Sequence, residues 1–186
     1  HVVHYPLREG KIFNFAATIE RAEWDEKAWT AEGTKQQCHE DYAGWHDDIH
    51  EMIDVSPKLL KWAYLVRDPL SRFAYGRVAL LGDACHPTLP FLTQGAVMAL
   101  EDGVVLARCL EAYDDIPTAL QRYEAARLER DNRMVAGAND MVRHFHNPDY
   151  RDPVKADAYI DREWSPEAIA ARYEWLFTYN VNTVPV

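Results

Sequence analysis

The chain has 186 residues, of which 48% are apolar, so it is long enough to bury a hydrophobic core as a compact domain. Its 30 acidic and 20 basic residues give a formal net charge of -10, which argues against nucleic acid or an anionic membrane as the main partner. No apolar run approaches the roughly 20 residues that cross a bilayer. The three cysteines lack CxxC or disulfide-like spacing, which predicts reduced thiols in a cytoplasmic protein.

The amino-terminal segment has the pattern of two strands, over residues 1–7 and 11–20, joined by a tight turn at Arg8-Glu9-Gly10. In the second strand apolar residues alternate with polar ones, as expected of a half-buried strand. Because the first strand begins without a methionine or a lead-in segment, we expect the chain to be a piece of a longer one, cut inside a sheet.

Residues 21–56 are charged and predicted to be helical in parts, and a further strand is predicted over residues 61–66. Four aromatic residues are predicted to anchor the charged segment: Trp24, Trp29, Tyr42 and Trp45. The run Val78-Ala79-Leu80-Leu81 is apolar without alternation, which predicts a short strand covered on both faces.

A mostly buried helix is predicted over residues 94–110, and a long polar helix over residues 117–145 with its proline in the first turn. Residues 147–164, rich in Asp, Pro and Tyr, are predicted to form a surface crossing. Ser165 is then predicted to cap a last helix. We expect the aromatic tail, residues 173–186, to pack against the protein or to contact a second copy in a homodimer.

The corner after the apolar run has the features of a ligand site. Gly82 allows close approach of backbone or ligand, and Asp83 is a hydrogen-bond acceptor suited to sugar or polyol hydroxyls. Ligands favour the carboxyl ends of strands in open α/β sheets. The helix start at Gln94-Gly95-Ala96 offers unpaired N–H groups and a positive dipole end, which favour negative charge. The corner therefore indicates a polyol joined to an electron-accepting group.

The sequence here resembles the second flavin-binding motif of the single-component, FAD-dependent aromatic hydroxylases similar to salicylate hydroxylase. The resemblance is carried by GRVALLGDACHP (residues 76–87), Pro90, Gln94-Gly95-Ala96 and Leu100-Glu101-Asp102. Looser similarity covers most of residues 1–145, in these segments: Gly44-Trp45-His46, Arg67-Asp68-Pro69-Leu70, and Tyr123-Glu124-Ala125-Ala126-Arg127 with Arg130.

The resemblance implies that Gly82 and Asp83 bind the ribityl part of FAD. It also implies that the Gln94-Gly95-Ala96 helix start faces the pyrimidine side of the flavin, with Pro90 beside the ring near the substrate. In this family NADH or NADPH reduces the flavin, and O2 then gives a flavin hydroperoxide. That species hydroxylates a small aromatic or heteroaromatic acid. The protein supplies position, electrostatics and a dry pocket.

The opening HVVHYP resembles the substrate-domain strand of the branch that acts on hydroxylated pyridine carboxylates, such as 6-hydroxynicotinate 3-monooxygenase. The resemblance implies substrate-facing roles for His1 and Tyr5, which share one strand face while His4 points away. That branch carries a histidine two residues after Pro90, where this chain has Leu92. We therefore expect a less polar pocket and do not assign a pyridine substrate.

The Gly-rich dinucleotide fingerprint of the family and its Asp-Gly motif are absent from the sequence. The site for the ADP half of FAD is therefore missing, and we expect this piece alone to be inactive. Three other groups of residues have simpler interpretations. We expect His86 to support the loop rather than act as an acid or base, and Cys85 to pack in the core. His46 and His50, one helical turn apart, have the spacing of metal ligands, but we expect a solvated or capping role and no metal.

The sequence thus predicts an α/β (α+β) fragment of a flavin monooxygenase fold, with part of a substrate-binding domain over residues 1–75. The end of an FAD-binding domain would occupy residues 76–145, and a helical extension residues 146–186. The expected partners are a small aromatic acid and O2. Two alternatives stay open: an inactive remnant that serves as an interaction module, and a flavin oxidoreductase of the same fold that inserts no oxygen.

Overall fold

The computed structural model describes residues 1–24, 26–64 and 66–186, which form two compact units, His1–Leu65 and Val66–Val186. Short antiparallel strands and helices make up the first unit: β1 (Val2–Leu7), β2 (Ile12–Ala17), β3 (Thr30–Gly33), α1 (Lys35–Asp41), α2 (Asp47–Val55) and β4 (Leu59–Trp62). The second unit is mainly helical: β5 (Ala74–Tyr75), β6 (Val78–Ala79), α3 (Gly95–Ala112), α4 (Ile116–Phe145), α5 (Pro153–Glu163) and α6 (Pro166–Phe177). The predicted mixture of helix and strand is confirmed.

The predicted amino-terminal hairpin is confirmed. β1 pairs antiparallel with β2 from Val2 opposite Ala17 to Leu7 opposite Ile12. All three residues of the predicted turn, Arg8-Glu9-Gly10, have positive φ values, as a tight turn requires. The expected half-buried face of β2 is seen only in part: Phe15 and Ala17 are partly buried, whereas Phe13 is 51% exposed and Tyr5, on the opposite face, is 46% exposed. A two-stranded ribbon has too few neighbours to cover a face.

The rest of the first unit pairs β3 with β4 and packs α1 against α2. Of the predicted anchors, Tyr42 is buried, whereas Trp29 and Trp45 are exposed, which corrects the expectation that all of them are anchors. The exposed ring of Trp29 lies beside that of Trp62 in β4, with 6.3 Å between their centroids, and Trp24 is partly buried. The strand predicted over residues 61–66 begins earlier and ends at Trp62, and residue 65 of that range lies outside the described residues.

The second unit is held by two hydrophobic clusters. One joins the segment around Pro90 to α3, α4 and α6, through Leu89, Leu92, Met98, Met134, Ala138, Met141 and Leu176. The other joins the segments on both sides of the Gly-Asp corner to α3 and α4, through Phe73, Cys85, Val105, Cys109, Ala119 and Tyr123. The tail packs on the second cluster through Val181, Val184 and Val186, so the prediction that it packs against the protein is confirmed.

Three predictions for this unit need correction. The apolar run forms only β6, paired with β5, and Val78 is 62% exposed, because the two-residue ladder offers no second layer. The helix predicted over 94–110 is confirmed as α3, but it is not mostly buried: Leu100 is 72% exposed, and α4 covers only one stripe. The predicted surface crossing, residues 147–164, contains the helix α5. This helix begins after Asp152, whose side chain caps it by accepting from two backbone N–H groups.

Helix α4 is confirmed with Pro117 in its first turn, and α6 is capped by Ser165 as predicted. Among the described residues, no helix is both long enough and apolar enough to cross a membrane.

Candidate functional site

The Gly-Asp corner is a single 3-10 turn, Gly82–Ala84, that follows β6. Gly82 has a φ of 60°, and a Cβ added to it would lie 3.2 Å from the Cβ of Ala99 in α3. The Gly82 carbonyl accepts from the backbone N–H groups of Cys85 and His86. Only glycine meets both requirements without strain, so the tight turn lies directly against α3.

An open cleft of about 640 Å³ lies between this turn and the start of α3. Five of the predicted flavin-binding residues line it: Gly82, Asp83, Pro90, Gly95 and Ala96. Asp83 is exposed at the cleft, and Pro90 starts the 3-10 turn Pro90–Leu92 on its other side. The structure therefore brings together residues that are 14 positions apart in the sequence.

The amino terminus of α3 has no side-chain cap and no acidic residue in its first turn. The N–H groups of a helix's first turn have no partner within the helix, and they carry the positive end of its dipole. α1, α2, α4, α5 and α6 each have a side chain that accepts from a first-turn N–H. The α3 terminus is thus suited to an anion or to hydrogen-bond acceptors in the cleft.

The remaining predicted site residues lie elsewhere. Gln94 occupies the cap position of α3 but is not among the residues that line the cleft. His1 precedes β1, and Tyr5 lies within it, both in the first unit. Leu92, which we expected to make the pocket less polar, is 8% exposed and lies in the first hydrophobic cluster rather than among the residues that line the cleft.

A buried cluster of charged side chains lies behind the corner, which sequence reasoning did not identify. Its members are at most 2% exposed: His86, Asp102, Arg127 and Asp131. Asp102 Oδ2 accepts from the Gly82 N–H at 2.9 Å and from His86 Nε2 at 2.6 Å. Asp102 Oδ1 accepts from Arg127 Nε at 2.8 Å, and Arg127 also donates to Asp131 at 2.6 Å.

These contacts shift the pKa values of the cluster. Burial alone would lower the pKa of His86, but its hydrogen bond to Asp102 and the nearby acids raise the pKa to about 10. Burial alone would raise the pKa of Asp102, but the hydrogen bonds that it accepts from His86, Gly82 and Arg127 lower the pKa below its ordinary value. Burial raises the pKa of Asp131 to about 7 despite Arg127. His86 is therefore a cation at neutral pH, held between two acids.

The expectations for His86 and Cys85 agree with this geometry. His86 supports the loop through Asp102, and Cys85 is 2% exposed within the second cluster. The cluster had a signal in the sequence: Glu101-Asp102 interrupts an apolar helix, and Arg127 lies in a segment that resembles the family. Sequence alone did not show that these charges face each other.

Two groups of side chains have the residue types of metal ligands, but each makes other contacts within the protein. Cys85, His86 and Asp102 place one ligand atom each within 4.8 Å, but the guanidinium of Arg127 shares the carboxylate and disfavours a further cation. In the first unit His46 caps α2, as expected, while His50 bonds His39 with 2.8 Å between their Nδ1 atoms.

Comparisons with known proteins show which family this chain is similar to. A family model described as an FAD binding domain matches residues 6–138. The 3-hydroxybenzoate 6-hydroxylase of Polaromonas naphthalenivorans (strain CJ2) is 35% identical over 182 residues, which is 97% of this chain and 45% of that protein. The 6-hydroxynicotinate 3-monooxygenase of Pseudomonas fluorescens is 39% identical over 131 residues, 68% of this chain and 34% of that protein.

Among solved structures, a salicylate hydroxylase in a substrate complex matches 98% of this chain and 45% of that chain, with a TM-score of 0.75 and 26% identity. The chain therefore spans less than half the length of these three proteins. All three names describe enzymes that add oxygen to a ring compound.

Proposed function

This chain belongs to the FAD binding domain family, and from that membership we propose that it forms the carboxy-terminal part of a single-component aromatic hydroxylase. The whole protein would bind FAD, accept electrons from NADH or NADPH, and use O2 to hydroxylate a small aromatic or heteroaromatic acid. One observation carries the proposal: Gly82, Asp83, Pro90, Gly95 and Ala96 line one cleft at an uncapped helix terminus.

The cleft fits the flavin and ribityl part of FAD. Asp83 presents an exposed carboxylate that accepts hydrogen bonds from polyol hydroxyls. The uncapped N–H groups of α3 would hold and stabilise a group that carries negative charge or hydrogen-bond acceptors, such as the polar edge of the flavin ring. FAD would supply the redox and oxygen chemistry when bound, and the residues that line the cleft would orient it.

The substrate class follows from the relatives. Both curated names describe enzymes that act on a monocyclic acid with a ring hydroxyl, 3-hydroxybenzoate or 6-hydroxynicotinate. We propose such an acid as the substrate here, with His1 and Tyr5 facing it. The three-part division at residues 75 and 145, the homodimer and the cytoplasmic location also remain predictions.

The test uses the full-length protein that contains this chain. The wild type should retain FAD through purification, and it should oxidise NADH or NADPH faster with a hydroxylated monocyclic acid. Under ¹⁸O₂ the product should gain one labelled oxygen atom. Reduction of FAD without a labelled product would favour the oxidoreductase alternative, and absence of FAD would favour the interaction module.

The role of Asp83 has a matched control. Asp83→Ala should weaken FAD binding about 10- to 100-fold, because hydroxyl groups lose an ionised acceptor. Asp114→Ala also removes an exposed carboxylate, but from a residue outside the cleft, and should bind FAD as the wild type does. Equal affinity in the two variants would show that Asp83 does not contact the cofactor.

A further inference from the structure

One buried carboxylate joins the two ends of the loop that carries Asp83. Asp102 Oδ2 accepts from the N–H of Gly82, the residue before Asp83, at 2.9 Å. The same oxygen accepts from Nε2 of His86, three residues after Asp83, at 2.6 Å. Asp102 is fully buried in α3, so the loop is attached directly to a rigid helix.

The Asp102 carboxylate is itself held in place by Arg127, which lies in α4. Arg127 Nε donates to Asp102 Oδ1 at 2.8 Å, which leaves Oδ2 directed at the loop. Other donors of Arg127 reach Glu101 at 2.8 Å and the Tyr179 hydroxyl at 3.1 Å. The orientation of Asp102 is therefore set by a guanidinium that is fixed at several points.

A second contact restrains the loop from the other side. Arg67 donates to the carbonyl of Cys85 at 2.7 Å. Between these restraints Asp83 is exposed and faces the cleft. An apolar side chain at position 102 would fill the same space, but it would leave the Gly82 N–H and the His86 ring without an acceptor.

We propose that Asp102 is a positioning residue for the cofactor cleft, which orients Asp83 by holding Gly82 and His86 on one carboxylate. Arg127 acts through Asp102 by fixing its rotamer. This inference rests on the proposed function, because Asp83 is its proposed point of contact with FAD. Neither Asp102 nor Arg127 lines the cleft, so the effect of each is indirect.

The first test is made on the full-length protein that contains this chain, in the absence of added FAD. Asp102→Asn has nearly the same shape, but it replaces one carboxylate oxygen with a donor that faces other donors. Amide hydrogen exchange in residues 82–86 should become about 10- to 100-fold faster, in proportion to the loss of a hydrogen bond to a charged group. Exchange in α6 should change much less.

The second test measures FAD affinity in the full-length protein. Asp102→Asn should weaken FAD binding about 10- to 100-fold and alter the visible circular dichroism of the FAD that remains bound. His86→Gln keeps a donor near the position of Nε2 and should retain more affinity than His86→Leu, which has no donor.

A stability control separates positioning from unfolding. Leu176→Ala creates a cavity in the first hydrophobic cluster, outside the cleft lining, and should destabilise the protein without changing FAD affinity at a temperature where it remains folded. If Asp102→Asn and Leu176→Ala bind FAD equally well, the positioning role is wrong. If the wild type binds no FAD, the proposed function fails instead, and the hydrogen-exchange test still decides whether Asp102 holds the loop.

Discussion

Replacing Arg127 with methionine removes a cation that three carboxylates share. The Arg127 side chain is completely buried and contacts Glu101, Asp102 and Asp131 at 2.6 to 2.8 Å. Glu101 keeps its contacts with Arg130, and Asp102 keeps its other two donors. Asp131 loses its bond to Arg127, and its second oxygen, Oδ2, has no hydrogen-bond partner among the described residues.

The expected loss in the free energy of unfolding comes mainly from Asp131, because Glu101 and Asp102 keep other donors. Removing one partner of a buried ion pair costs about 3–5 kcal/mol. The partner that remains here, Asp131, must either stay charged in a medium of low dielectric constant or take up a proton, because burial already raises its pKa to about 7. A typical domain has a free energy of unfolding of roughly 5–15 kcal/mol, so the variant should be strongly destabilised but in part still folded. Adding Asp131→Asn to Arg127→Met should recover part of the loss, since it removes a buried carboxylate that has lost its hydrogen bond to Arg127 and keeps only His86, 3.9 Å away, as a nearby cation in the cluster.

The assay should report on the second unit alone, because two compact units need not unfold together. Hydrogen exchange of peptides from α3 and α4, measured with increasing urea, gives their opening free energy. A loss of about 3–5 kcal/mol corresponds to roughly two to four orders of magnitude in exchange rate.

Arg143→Met is the matched control for this prediction. Arg143 also pairs with an acid, Asp140, but its side chain is 81% exposed, so the change should cost less than about 1 kcal/mol. If Arg127→Met lowers the opening free energy of α4 by no more than Arg143→Met does, the buried cluster does not stabilise the unit and the reasoning is refuted.

Three further predictions concern single positions. Gly82→Ala should lower the free energy of unfolding by about 1–2 kcal/mol, because the φ of Gly82 is positive and Ala99 is close. Gly103→Ala, where a Cβ would meet no atom within 4 Å, should not destabilise the protein. The urea midpoints of the two variants test this difference. Charged His86 stabilises the folded protein; this contribution is complete below the ordinary histidine pKa of 6.5 and is lost as the pH rises through about 10. The urea midpoint of the wild type should therefore fall as the pH rises over this range. The urea midpoint of His86→Gln should fall less. Ser165→Ala should lower the stability of α6 by about 1 kcal/mol, because the helix loses its side-chain cap. Faster amide hydrogen exchange that is confined to α6 would confirm this prediction.

Local signals in the sequence predicted the elements that depend on a few neighbouring residues. The turn at Arg8-Glu9-Gly10, the proline in the first turn of α4 and the Ser165 cap each act through backbone within four positions. The same kind of signal, Asp152 before a proline, begins α5, but the surrounding Asp, Pro and Tyr residues were interpreted as a surface crossing.

Burial was harder to predict because it depends on what packs against each face. The apolar character of Leu100 and Val78 indicated a covered position, yet both are exposed, since composition records the chemistry of a side chain and not its neighbours. Conversely, Asp102 and Arg127 have charges that are typical of a surface, and both are fully buried.

The sequence by itself determined that a glycine and an acid precede the start of a helix, because this pattern lies within about 15 consecutive residues. The structure then showed that this helix start has no side-chain cap. The resemblance then led from these residues to FAD. Only the tertiary structure decided that Asp102, Arg127 and His86 meet behind the Gly-Asp corner. Two of these side chains come from different helices and the third from the loop, and the strength of a buried charge pair depends on distances between segments that are far apart in the chain.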